Sequence, residues 1–322
     1  MGVNNNKPEK WKKDIADSVD MYNDWFMKFA PKAFRDTRKK TTKEVEETLR
    51  ETQNLRNITV DLLKKNPSVL SSLRMSTCPP LAVDRLIGLS GVSKNLVKVI
   101  EKKKKLPPRM KQEELNSDLE KIAKLIKQMA DPDIFGWLKC SESPNQREVY
   151  RAATIVADRL CGAVSDPIIR NAQEERQLEK IKKWLEYNEY KFLPANSKIL
   201  FENIKPGQFA FRFNVPVFHG EGWVNIPVDV VVKPKSAKEE DLPLFIEAKS
   251  AGDYTNVNKR RKEEATKMNQ LKNTYENKGE VKFILFLCGY FDGAYLGYEA
   301  NEGFDWVWEH RMKDLKEFGL CK

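Results

Sequence analysis

Ile226-Pro227-Val228-Asp229-Val230-Val231-Val232, followed by Leu244-Phe245-Ile246-Glu247-Ala248-Lys249, decides how this chain is read. Both runs have the β-branched and aromatic content of strands, and the Pro-, Lys- and Glu-rich segment from Pro234 to Pro243 reads as the turn that makes them a hairpin. Side chains two apart on a strand share a face, so Glu247 and Lys249 point the same way, and pairing brings Asp229 beside them. Burying an ionised carboxylate without a partner costs several kcal/mol or more. Asp229 and Glu247 together therefore call for a cation, and with the Ala248 carbonyl they offer only oxygen ligands, which favours magnesium or a similarly hard ion. The competing reading is an exposed hairpin edge carrying a Glu-Lys cross-strand pair.

The spacing Pro-x-Asp, then Glu-x-Lys after a turn, resembles the active site of the PD-(D/E)xK nuclease superfamily. Pro227 stands one residue further from Asp229 than in the commonest form, but the carboxylate is the chemical group. The placement of both motifs in consecutive strand-like runs carries the resemblance.

Composition agrees with a polyanionic partner: 57 Lys and Arg against 47 Asp and Glu give a formal net charge of +10 over 322 residues. Charge alone is equally compatible with a basic protein that binds nothing. The cysteines (Cys78, Cys140, Cys161, Cys288 and Cys321) are odd in number and unclustered, which predicts free thiols in a reducing compartment rather than zinc or disulfides. With only His219 and His310, multi-histidine metal sites are excluded. The polar start has no apolar signal region, and the apolar run from Phe283 to Cys288 is too short to cross a bilayer. The expectation is a soluble, cytoplasmic protein with no membrane partner and no nucleotide cofactor.

From about Lys10 to Leu73 the apolar spacing is helical, with a second helix entry at Thr41 or Thr42. Helices are also predicted over Glu113 to Met129 and Val149 to Leu160, and another begins at Asp166-Pro167, with Asp as N-cap and Pro in the first turn. Beyond Tyr190 the period changes, and Phe209-Phe211-Phe213 alternates with polar or small residues. A basic helix from Asn256 to Tyr275 and an apolar strand from Val281 to Tyr290 follow. The fold class is α/β (α+β), a mixed sheet flanked by helices. Residues 1–112 are assigned to a helical DNA-binding region and 113–322 to the catalytic core.

Residues 80–100 read as two short helices joined by a turn containing Gly88 and Gly91. This resembles a helix-hairpin-helix binder of DNA backbones, in which turn N–H groups, Ser93, and the ammonium groups of Lys94 and Lys98 meet phosphates. Ser93 replaces a glycine usual in that motif, and a tight helical turn without function is the alternative. Glu174 falls on the inward stripe of its helix with Pro167, Asn171, Leu178, Ile181 and Leu185, as a further candidate metal ligand or as a partner of Arg170. Lys259, Arg260 and Arg261 follow the Glu-x-Lys strand closely enough to flank a scissile phosphate, or else form a solvated helix face.

Five stretches carry a wider resemblance. They are Trp25-Phe26 with Phe29-Ala30-Pro31, Gly88 to Lys94, Asp166 to Glu174, Glu247-Ala248-Lys249, and Gly297-Tyr298-Glu299-Ala300 through Asp305 to Arg311. Together they look like the XamI family of type II restriction endonucleases over nearly the whole chain. That resemblance implies a Mg²⁺-dependent enzyme, usually a homodimer, that cuts both strands of a short palindromic duplex. It adds support to Asp229, Glu247 and Lys249, and also to Glu174. A structure-specific repair or junction nuclease and a non-catalytic DNA-binding protein remain the alternatives.

Overall fold

The computed structural model describes residues 2–194, 201–220, 222–254 and 257–321, with the side chains of 163–166, 202 and 257–261 left aside. In chain order the helices and strands are α1 (Pro8–Glu51), α2 (Val60–Lys65), α3 (Leu70–Met75), α4 (Val83–Ser90), α5 (Lys94–Lys103), α6 (Gln112–Met129) and α7 (Gln146–Tyr187). There follow β1 (Lys191–Leu193), β2 (Gln208–His219), β3 (Gly222–Val232), β4 (Leu244–Ala251), α8 (Val257–Tyr275), β5 (Phe283–Gly289), α9 (Gly293–Asn301) and β6 (Asp305–Trp308). The result is the expected α+β class.

The chain divides into two units, Met1–Phe29 with Ile169–Lys322, and Ala30–Ile168. Residue 112, after which a division is expected from sequence, lies inside the second of these units. The buried face of α6 (Leu115, Leu119, Ile122 and Ile126) belongs to the same apolar core as Leu49, Leu73, Leu86 and Leu96, so α6 cannot be separated from the helices before it.

Two predicted helix starts are absent. Thr42 lies inside α1 and donates its hydroxyl to the Arg38 carbonyl at 2.8 Å, which satisfies the side chain without ending the helix. Pro167 likewise lies inside α7. The intervening Cys161 to Ser165 contains no strong turn residue apart from Gly162, so the helix runs through and simply forgoes one N–H donor. The inward stripe of α7 starts later than expected: Gln173, Gln177, Leu178, Ile181 and Leu185 are buried, whereas Pro167 and Asn171 are exposed.

In the Met1–Phe29 and Ile169–Lys322 unit, six strands form one sheet whose spatial order follows the chain, β1 to β6. The β2–β3–β4 pairs are antiparallel, and β1–β2, β4–β5 and β5–β6 are parallel. Every residue of β5 is buried, as expected for a central strand covered on both faces. One apolar layer holds Val215, Val217, Val228, Phe245, Leu285 and Trp306, and the other holds Leu178, Ile181, Phe209, Val230, Ile246 and Phe286.

The simple alternation expected for Phe209, Phe211 and Phe213 fails at Arg212. Phe209 and Phe211 pack into the α7 layer, while Phe213 joins the opposite one. Arg212 has φ +49, a left-handed conformation that reverses which face the following side chains take. Its neighbour β3 changes phase at the same level: Val228 belongs to one layer and Val230 to the other, with Asp229 between them.

Candidate active site

Strands β3 and β4 pair only where Val230, Val231 and Val232 meet Ile246, Phe245 and Leu244. Beyond Ile246 the two strands part. Glu247, Ala248 and Lys249 continue pairing with β5 on the far side, leaving the Ala248 N–H to be taken by the Asp229 carboxylate at 2.9 Å. The side chain thus does what the missing stretch of ladder would have done. The gap opens onto a cavity of about 190 Å³ lined by Asp229, Glu247, Ala248, Lys249 and Glu174.

Glu247 is 4 % exposed. Its Oε1 faces two ammonium groups, Lys249 Nζ at 3.3 Å and Lys267 Nζ at 2.6 Å. Its Oε2 is buried and, among the described residues, without a hydrogen-bond partner. Lys249 Nζ also lies 2.6 Å from Glu264 Oε1, a fully buried carboxylate on α8. Three carboxylates (Asp229, Glu247 and Glu264) therefore face two ammonium groups, and the cluster retains one negative charge to attract a cation.

The electrostatics follow from burial. Asp229 is pushed up to about 6, first by desolvation and then by repulsion from Glu247, against which the Ala248 N–H and the lysines work. Burial alone would lower Lys249, but the attraction of Glu247 and Glu264 outweighs it and holds the ammonium above its ordinary value. Glu264 is raised by desolvation, which its contact with Lys249 offsets only partly.

Glu174 lines the same cavity but is paired with Arg212 at 2.9 Å rather than with Arg170. The adjacent residues on α7 were not singled out from sequence. Gln177 donates to the carbonyls of Lys249 at 3.2 Å and Phe286 at 3.3 Å, tying α7 to β4 and β5, and Gln173 donates to the Tyr22 hydroxyl at 2.6 Å. Lys267, Glu264 and Arg212 were also missed. Glu264 had a visible signal, because it stands at helical spacing from Met268, Leu271 and Tyr275, which are buried. The backbone of Lys259, Arg260 and Arg261 lies at the start of α8, and their side chains fall outside the described residues.

The helical hairpin at 80–100 is formed by α4 and α5, with Gly91 at φ +61 closing α4. Its amides are not free as expected. The Gly91 N–H donates to the Ile87 carbonyl at 2.9 Å, and the Ser93 N–H to Asp118 Oδ2 at 2.8 Å. Gly88 is within α4, so it forms no part of the turn itself. Lys94 is exposed, and Lys98 stands 3.8 Å from Asp84.

A mixed sheet flanked by helices, with clustered carboxylates and lysines where two of its strands part, is the core of a nuclease of the α+β class. A family model described as XamI restriction endonuclease matches residues 53–308. The chain is also 51% identical over 317 residues to the Type II restriction enzyme SalI of Streptomyces albus G, covering 98% of this chain and 99% of that one. No solved structure matches it. The chain belongs to the XamI restriction endonuclease family and is a type II restriction endonuclease, a site-specific deoxyribonuclease. Of the readings left open by sequence, the junction nuclease and the non-catalytic DNA binder fall away.

Proposed function

We propose that this enzyme hydrolyses both strands of a short palindromic DNA duplex in the cytoplasm, using Mg²⁺ held by Asp229, Glu247 and the Ala248 carbonyl. The observation that carries this reading is the convergence of Asp229 and Glu247 on one cavity, with Glu247 Oε2 buried and unpartnered among the described residues. An all-oxygen donor set with surplus negative charge fits a hard divalent ion. Such an ion, when bound, neutralises charge on the phosphate and supports the leaving 3′-oxygen. Glu174 supplies a further carboxylate at the cavity, positioned by Arg212.

The protein's own groups do the rest. Lys249, kept as an ammonium by its two carboxylates, donates hydrogen bonds that orient the attacking water and stabilise the charge growing on the phosphate. Lys267 adds a second positive charge beside Glu247. Glu247 and Asp229 would hold the ion, and Asp229 also accepts the Ala248 N–H, which steadies the residue whose carbonyl would join them.

The unit from Ala30 to Ile168 supports sequence-independent contact with DNA through Lys94 and Lys98, with Gly91 and Ser93 shaping the turn and Gly88 exposed on the last turn of α4. Lys259, Arg260 and Arg261 supply positive charge at the start of α8. A palindrome presents two equivalent phosphodiesters about a two-fold axis and each chain supplies one site, so the working enzyme is a homodimer.

Mixing wild-type subunits with Lys249→Met subunits, which keep an unbranched side chain one atom shorter and without its charge, tests the dimer with two sites. Heterodimers should nick one strand of the site in the presence of Mg²⁺. Mixtures that yield only double-strand cuts and uncut DNA, after subunit exchange is verified, would overturn the dimer with two sites.

A further inference from the structure

We infer that Glu264 is the positioning residue for Lys249, holding its ammonium beside Glu247 and so at the reacting phosphate. This rests on the reading that Lys249 acts in the chemical step. Glu264 is 0 % exposed and stands on the buried stripe of α8 formed by Met268, Leu271 and Tyr275, a place where packing asks for an apolar side chain. A buried ion pair is a poor source of stability, since well-packed apolar residues replace such pairs at little or no loss. What the pair does provide is direction. Lys249 has four rotatable bonds, and its own strand fixes only where the side chain begins. Glu264 Oε1 at 2.6 Å and Glu247 Oε1 at 3.3 Å grip the ammonium from two elements, α8 and β4, and the Lys249 side chain is only 13 % exposed. Lys267 lies one turn further along α8 and grips Glu247 at 2.6 Å, so the helix sets both the lysine and the carboxylate that flanks it.

The test compares Glu264→Leu, Glu264→Gln, Lys249→Met and the double variant Lys249→Met with Glu264→Leu in the full-length enzyme. Three quantities are read: single-turnover cleavage of the cognate duplex with Mg²⁺, equilibrium binding with Ca²⁺, and the thermal midpoint. Glu264→Leu should slow cleavage about 100-fold, the effect of a misplaced catalytic group. Binding should stay within about three-fold, because the loss is confined to the transition state. The thermal midpoint should fall in Glu264→Leu, which leaves the Lys249 ammonium buried with one partner fewer, and recover in the double variant, where both members of the pair are apolar. In the Lys249→Met background the same change should alter the rate less than about three-fold, since its target is gone. If Glu264→Leu does not fold, Glu264→Gln carries the same comparison. The inference is overturned if either Glu264 variant cleaves within about three-fold of wild type, if its effect multiplies onto that of Lys249→Met, or if Ca²⁺-dependent binding is lost, which would make Glu264 a ligand of the ion. Wild-type cleavage by Lys249→Met would instead remove the reading of Lys249 itself.

Discussion

Between the sheet and α8, Glu247 and Glu264 are buried against Lys249 and Lys267, one Glu247 oxygen lacks a partner among the described residues, and Asp229 is held well above the ordinary carboxylate range. In the hairpin of α4 and α5 the opposite holds. Lys94 stands in solvent, the Gly91 and Ser93 amides are satisfied within the protein, and the charged pair Lys98 and Asp84 is exposed and loose at 3.8 Å. Polar groups in the hairpin follow the rules for a stable fold, whereas those in the sheet break them. Charge that is unfavourable at rest marks the place where a ligand bearing the opposite charge is to be received.

The sharpest way to break this contrast is Lys249→Met, which should reduce single-turnover cleavage by about 1,000-fold or more while Ca²⁺-supported binding stays within a few-fold. A rate within about ten-fold of wild type would place the chemistry elsewhere.

Asp229→Asn should come next, with an effect on the fold itself. The native state keeps the Asp229 proton up to about pH 6, whereas the unfolded chain releases it near 3.8. Stability contributed at this position therefore falls as pH rises between those values and stays low above them. Without metal, Asp229→Asn should be more stable than wild type by about 2 to 3 kcal/mol at pH 8 and no more stable at pH 4, as read from denaturant titrations. Added Ca²⁺ should then stabilise the wild type and not the variant.

The hairpin should respond in smaller steps. Gly91→Ala forces a β-carbon onto φ +61 with open space around it, so backbone strain of about 1 kcal/mol is the whole effect. A loss several times larger would reveal contacts with the turn. Lys94→Ala should leave stability unchanged and weaken cognate and non-cognate duplexes alike, lowering the salt slope of binding by about one unit. An unchanged slope would remove Lys94 from the DNA contact.

The sheet core was legible because Asp229 and Glu247-Ala248-Lys249 interrupt apolar runs, and a charge in a strand core is visible in one dimension. The long hairpin, α8 and β5 followed from periodicity and turn chemistry. β1 and β6 did not, being three and four residues long, below the length at which alternation is informative. The second carboxylate around Lys249 was overlooked although Glu264 broke the α8 stripe in the same way that Glu247 broke β4. Arg212 left no comparable trace, because its positive φ reflects the tertiary setting of the β2–β3 ribbon and arginine has no marked preference for it. Pro167 misled by looking like the start of a helix, since a proline is equally compatible with the first turn and with an interior position that gives up one hydrogen bond.

Segments far apart in sequence meet in the sheet-bearing unit. The backbone N–H groups of Val3 and Asn4 donate to the Asp305 carboxylate at 2.5 and 2.9 Å, and the Asn4 side chain reaches the Trp306 carbonyl at 2.8 Å. On the ribosome, Val3 and Asn4 must wait for Asp305, 302 and 301 residues further along the chain. Residues 30–168 have all their own core partners long before β6 emerges, while the nuclease unit is left open at its final strand. A cell translating this protein therefore closes the sheet-bearing unit only after Asp305 and Trp306 have emerged, and ribosomes stalled upstream of Asp305 carry chains whose Val3–Asn4 segment has nothing to close on.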